Sequence, residues 1–365
     1  MTTSKHPPFS ADGHATLIGS IPVRDHQEAL NLIFAHTPAI PLWPQLPGNP
    51  KEGMLNQFVE DFPGLVEENG RTFFDSGRES FAAEQLAFFE QYLAVSEDPA
   101  LLADSIFKSS EERAPGLYRF RERLQAGPTG NRQAAKGQIT GPFTLLTGLK
   151  DAQQQDAWYD PALREIVVKG LAMRAAWQAG FLRQCSGNQA IVFLDEPALA
   201  GLGSSAYISV SLAEIGADLN EVLGAVRGAG ALNGIHVCAN TDWDFILGLD
   251  LDILSFDAYS YFDRLAGSRA ALYAFLDRGG ILAWGLVPTS EAAWIEQENA
   301  ASLARRWNEQ AQTLVNDQWD LPRLLSRTLI TPSCGTGSLP LPLARRVLEL
   351  TSDLSAALRT KHLTD

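Results

Sequence analysis

Short apolar runs alternate with amphipathic stretches along almost the whole chain, and that alternation predicts its fold class. Eight runs read as strands, at 16–20, 38–43, 138–141, 190–195, 234–238, 253–257, 281–286 and 329–333. Prolines flank the second, which makes it the weakest of the set. Over 160–185, 211–228, 265–276 and 291–315, apolar residues recur at the third and fourth positions, the period of a helix with one buried face. Strand-then-helix order repeated over this length predicts an α/β protein with a parallel sheet. Eight such units predict a (β/α)8 TIM barrel, with a doubly wound sheet as the competing architecture.

One interval breaks the alternation. From 46 to 132 the chain reads as glycine- and proline-rich loop, followed by helical stretches near 81–92 and 101–109. We read it as an insertion of extra helical segments after the second strand, covering one mouth of the barrel within a single domain spanning 1–365. The proline-rich WPQLPGNP at 43–50 is expected to line the pocket.

Composition narrows the class of partner. The 365 residues are 45% hydrophobic and 20% charged, enough for a large core. A net charge of -14, with no block of Lys or Arg, argues against nucleic-acid or anionic-membrane partners. No apolar run approaches a membrane span, and the N-terminal MTTSKHPPFSADGH lacks the pattern of a signal peptide. Three cysteines, an odd count, suit a reducing compartment, so a cytoplasmic enzyme is expected.

Candidate chemistry gathers at the predicted strand ends. GIHVC places His236 and Cys238 two residues apart on one strand, hence on one face and able to reach one metal ion. Asp257 ends the next strand in ILSFD, and Cys334 follows the last one in TPSCGTG, where the glycines at 335 and 337 are expected to give loop freedom. Each residue has a plainer reading. An isolated H-x-C is also a strand histidine beside a core cysteine, Cys334 a small buried hydrophobe, and Asp257 a helix cap. If the four converge, two sulfurs, one nitrogen and one oxygen suit zinc, which would hold a substrate thiol as its thiolate. In IVFLDEPAL the adjacent acids point to opposite sides of their strand. We expect Asp195 to face inward, binding an ammonium group or orienting the imidazole, with a solvated strand end as the alternative. Gly19 and Ser20, in LIGSIP, could offer backbone amides to a carboxylate or phosphate. Trp43 and Trp284 either wall the cavity or pack, and Cys185 reads as structural.

These segments together resemble the catalytic domain of cobalamin-independent methionine synthase. They also resemble the wider superfamily that holds uroporphyrinogen decarboxylase and the corrinoid methyltransferases. The likeness is carried by TLIGSIP at 16–22, GP at 141–142, FLDEPAL at 193–199, HVC at 236–238, LSFD at 254–257 and PSCG at 332–335, in the family's order. The resemblance implies a barrel holding zinc through His236, Cys238, Asp257 and Cys334. It also implies that Asp195 holds an amino group, and that Gly19 and Ser20 contact the amino acid's carboxylate. Two features depart from the family: aspartate replaces the usual glutamate at 257, and GLVPTSE carries no histidine after the seventh strand. That histidine helps protonate a departing folate, so its loss shifts the expected donor to a corrinoid, which leaves without a proton. The expectation is therefore a zinc-dependent methyltransferase passing a methyl group from a methylated corrinoid, held on a partner protein, to a small thiol such as homocysteine. Alternatives are a folate-dependent methionine-synthase-like enzyme, a decarboxylase-type relative, or a non-catalytic protein that binds a thiol or corrinoid. The decarboxylase reading is weakened by the lack of arginine in PLWPQLP at 41–47.

Overall fold

The computed structural model describes residues 9–127, 132–202, 207 and 210–363. The first eight residues of the stretch read for a leader, and 128–131 of the expected insertion, lie outside these.

A short antiparallel hairpin, β1 (Leu65–Glu68) with β2 (Arg71–Phe74), stands apart from the main sheet. The main sheet is parallel and runs in chain order: β3 (Ala134–Thr140), β4 (Gln189–Asp195), β5 (Leu232–Val237), β6 (Ile253–Phe256), β7 (Ile281–Val287) and β8 (Thr328–Pro332). Helices follow the strands, as parallel crossovers require. The longest, Pro161–Ser186, starts where the Asp160 side chain accepts from the amides of Ala162 and Leu163, with a proline in its first turn. Two of the helical patterns are each split. The 265–276 pattern falls on helices Ala258–Gly267 and Arg269–Asp277, and 291–315 on Ala292–Gln297 and Ala300–Gln312. In the latter, Asn299 and Ser302 form a reciprocal cap that starts a new helix.

Among the described residues six regular strands form a curled, partly open parallel sheet, and the first two of the eight strands expected from the sequence are not regular strands. The runs at 16–20 and 38–43 are extended segments held by single bridges: Ala15 with Ile330 on the β8 edge, Leu42 with Lys136 on the β3 edge, and Ser20 with Gln45 between them. The reasons are local. Pro38, Pro41 and Pro44 remove ladder donors from the second segment, and the first changes partner midway, from Ile330 to Gln45.

Burial follows the two faces of the sheet. On the convex side Ile139, Val192, Leu194, Ile235, Leu254 and Trp284 join the large core beneath the helices. On the concave side Ala134, Ile191, Phe193, Ile253, Ile281, Ala283 and Leu329 form a second apolar cluster. Trp43 and Trp284 are fully buried, bonded through their indole nitrogens to Gln178 and Gln310, and neither lines the cavity described below. No helix among the described residues is long and apolar enough to cross a membrane.

Candidate metal centre

The strand register assembles the site. Thr140, Asp195, His236 and Ser255 are successive Cα partners across β3 to β6, so they form one polar row near the strand ends. Below them, two residues earlier on the same face, lie Phe193 and Ile253 of the concave apolar cluster. Above them opens a cavity of about 310 Å³, whose wall includes Ser20, Glu52, Asp195, His236, Cys238 and Cys334.

His236, Cys238 and Cys334 offer ligand atoms that all lie within 4.8 Å of one another, and this group could hold a metal ion. The imidazole is 3% exposed. Its Nδ1 is 2.9 Å from Ser255 Oγ, while Nε2 is buried with no hydrogen-bond partner among the described residues. Burial, with the Lys136 charge nearby, pushes the imidazole down to about 3, so the ring is neutral and able to donate a lone pair. The two cysteine thiols lie side by side and act on each other. The Cys334 thiol donates to Cys238, which holds Cys238 below the usual thiol range and pushes Cys334 above it. One neutral imidazole nitrogen and two sulfurs are a donor set that suits zinc, and the orphaned Nε2 is the atom such an ion would satisfy.

Asp257 is not brought into this cluster. Its Oδ1 accepts from the Ser260 amide at 2.9 Å, capping helix Ala258–Gly267, because β6 ends at Phe256 and the chain turns directly into that helix. Its charge still bears on Cys238, and burial pushes its own carboxyl up.

Asp195 and Glu196 do split to opposite sides of their strand. Asp195 faces the cavity with Oδ1 buried and unpartnered among the described residues. Glu196, fully buried, accepts from the amides of Phe143 and Thr144 at 3.0 and 2.8 Å and from Thr144 Oγ1 at 2.6 Å. It thereby caps helix Pro142–Gly148, and Gly141 has no side chain because a Cβ there would lie 2.1 Å from the Glu196 carboxylate. The imidazole is oriented by Ser255, a role the sequence reading offered to Asp195.

Ser20 lines the cavity, but Gly19 is not on its wall. The Gly19 carbonyl accepts from the Gln45 amide at 3.1 Å, and a Cβ at Gly19 would lie 2.6 Å from Gln45 Oε1. Ser20 Oγ accepts from the Gly337 amide at 3.2 Å. Gly335 and Gly337 turn out to serve close approach and not loop freedom. A Cβ at Gly335 would sit 2.2 Å from Ser20 Oγ, one at Gly337 2.8 Å from Ser20 Cβ, and neither has positive φ. After β7, Thr289 bonds through its hydroxyl to Ser333 at 2.9 Å.

The sequence reading missed Lys136, Ser255 and Glu52. Lys136, Gln138 and Thr140 occupy alternate positions of an otherwise apolar strand, a legible sign of inward polar side chains. Lys136 and Asp195 act on each other's charge without a direct ion pair among the described residues. Burial lowers the lysine and raises the aspartate, each against the pull of the other. Glu52 accepts from His26 Nε2 at 3.1 Å, the Leu46 amide at 3.0 Å and Asn49 Nδ2 at 3.0 Å, which knots the segment carrying Gln45 and Pro47 onto the cavity.

No protein-family model and no curated sequence matches the chain. Among solved structures, a putative vitamin-B12 independent methionine synthase from Listeria monocytogenes superposes with a TM-score of 0.52 at 13% identity, over 96% of this chain and 98% of that one. A GH113 β-mannanase from Alicyclobacillus acidocaldarius superposes at 0.37, with 10% identity over 66% and 78% of the two chains. A 3-keto-D-glucoside 4-epimerase from E. coli superposes at 0.35, with 13% identity over 75% and 94%. The last two bear on neither fold nor function. The first shows a shared α/β fold over nearly the full length of both chains.

Proposed function

We propose that this chain is a zinc-dependent, methyltransferase-like enzyme that activates a small thiol such as homocysteine and methylates it from a corrinoid held by a partner protein. The observation that carries the reading is the buried, unpartnered Nε2 of His236 beside the two cysteine sulfurs. With Asp257 engaged as a cap, three protein ligands leave a fourth position open, the mark of a catalytic and not a structural zinc site. Bound there, zinc would lower a substrate thiol's pKa and hold it as the nucleophilic thiolate.

The chain's own residues do the rest. Ser255 fixes the ring plane of His236, and the Asp195 carboxylate, on the cavity wall, can accept from the ammonium group of an amino thiol. Ser20 lies on the cavity wall near where that molecule's carboxylate would rest. The cavity, about 310 Å³, takes a small thiol and no macrocycle, so a corrinoid must approach at the mouth, past Pro47, Met54 and Pro197. We read segment 46–132 as the cover of that mouth, in one domain built on a (β/α)8 plan whose first two strands are reduced to bridged segments. Thr289, tied to Ser333, offers no strong acid after β7. This favours a leaving group that departs without a proton, as a reduced corrinoid does and a folate does not. Free thiols at the centre suit the cytoplasm.

Elemental analysis should find zinc equimolar with the chain, and X-ray absorption should gain a zinc–sulfur contact of about 2.3 Å when homocysteine is added. Methyl transfer from methylcobalamin to the thiol completes the test. Full transfer by metal-free protein sinks the reading. Thiol binding without transfer from either a corrinoid or a folate donor would instead mark a non-catalytic binding protein.

A further inference from the structure

We propose that Lys136 is a positioning residue for this site, a buried ammonium that holds the substrate-facing carboxylate of Asp195 and the 18–20 turn in fixed relation. This inference rests on the pocket's proposed role in binding an amino thiol.

Lys136 lies in the middle of β3 and is fully buried, a placement that lysine avoids unless a specific partner compensates it. Its Nζ donates to the Ile18 carbonyl at 2.7 Å and stands 3.5 Å from Gln138 Oε1, so one strong acceptor serves three donors. Ile18 lies on the cavity wall and precedes Gly19 and Ser20. That segment belongs to no regular strand, so the lysine is a side-chain tie across the open part of the sheet.

The other face of the ammonium meets β4. Nζ lies 4.4 Å from the ring centroid of Phe193, which shares a strand face with Asp195 two residues on. The ammonium thus lies close enough to act on the Asp195 charge with no ion pair to it among the described residues, and Asp195 stays on the cavity wall. Charge supplied at a distance steadies the acid while leaving its carboxylate unpaired on the cavity wall for a ligand. A direct ion pair would have consumed an acceptor. A purely structural lysine would need only the Ile18 bond.

The test uses cobalt-loaded full-length protein, whose sulfur-to-metal absorption reports thiol binding, with cysteamine and 2-mercaptoethanol as probes. Wild type is expected to prefer cysteamine. Lys136→Met should keep its metal content and its affinity for 2-mercaptoethanol, yet lose about tenfold in affinity for cysteamine, the size of one charged hydrogen bond. Lys136→Arg, which retains the charge, should keep the preference and serves if the methionine variant does not fold. Preference retained in Lys136→Met, or both probes weakened equally, overturns the inference alone. Absence of the preference in wild type overturns it together with the amino-thiol reading, and shows in a protein whose lysine is intact.

Discussion

Asp195 and His236 are lateral partners in adjacent parallel strands, and each ends in one buried atom, Oδ1 and Nε2, that has no hydrogen-bond partner among the described residues. Unsatisfied buried polar atoms are costly, so a pair of them side by side on a cavity wall marks a place built for a ligand. One is a lone-pair donor beside two sulfurs, the other an acceptor for a cationic group. The two halves of the proposed chemistry, metal and amine, are thus separated by a single strand spacing.

Ser255 holds the His236 ring through Nδ1, so it should tune the metal without touching it. Ser255→Ala is expected to weaken zinc affinity by about 10–100-fold in a chelator competition, the usual effect of losing such a partner. The far-ultraviolet circular dichroism should not change. Unaltered affinity would show that Nδ1 is oriented by something else.

Cys238→Ser and Cys334→Ser are each expected to purify without stoichiometric zinc, since each removes a sulfur donor from the cluster. Stripping the metal from wild type should lower its melting temperature, because an ion that binds only the folded chain stabilises it by about 2.7 kcal/mol at a hundredfold excess over Kd. The two serine variants should show no such response to a chelator.

Glu196 gives a pH dependence of known sign. Burial pushes its carboxyl up to about 7 against the pull of three hydrogen bonds, so the native state binds this proton more tightly than the unfolded chain does. Its contribution is fully present below the unfolded pKa and is lost as pH rises through the folded one. Between pH 5 and 8 the wild type should lose on the order of 3 kcal/mol through this group, from about one pKa unit per 1.4 kcal/mol. Urea melts of Glu196→Gln over that range should lack this component. Parallel curves for the two proteins would show that the carboxylate stays ionised.

Gly335 and Ser20 should be energetically coupled. Gly335→Ala puts a methyl group 2.2 Å from Ser20 Oγ and is expected to cost about 1–3 kcal/mol and to lower zinc occupancy through the adjacent Cys334. Ser20→Ala removes that oxygen and leaves Ser20 Cβ as the next atom, 3.5 Å away. The double variant should therefore recover stability, with a coupling of about 0.5–3 kcal/mol in a double-mutant cycle. Additive effects would mean that the loop relaxes by another route.

Much of the fold was legible because the six regular strands are short apolar runs bounded by helical patterns. The observed β4, β6, β7 and β8 lie within a residue or so of the predicted runs. The first two segments sit in the sheet without regular ladders, since an apolar run reports burial and not ladder pairing. Ala15, Ser20 and Leu42 are inside the sheet's gap yet reach it by single bridges.

Sequence alone determined that His236 and Cys238 share a face and that Asp195 and Glu196 point apart, because both follow from the two-residue period of a strand. It also marked Cys334 as a strand-end cysteine. Only the tertiary structure decided which of these residues meet. Strand register placed Ser255 against His236, packing set the Lys136 ammonium over Phe193 on the face that carries Asp195, and a helix beginning one residue after Asp257 took that carboxylate for a cap. A side chain's direction along one element is local geometry, whereas its partner is set by how separate elements align. The chain does not write that alignment at any single position.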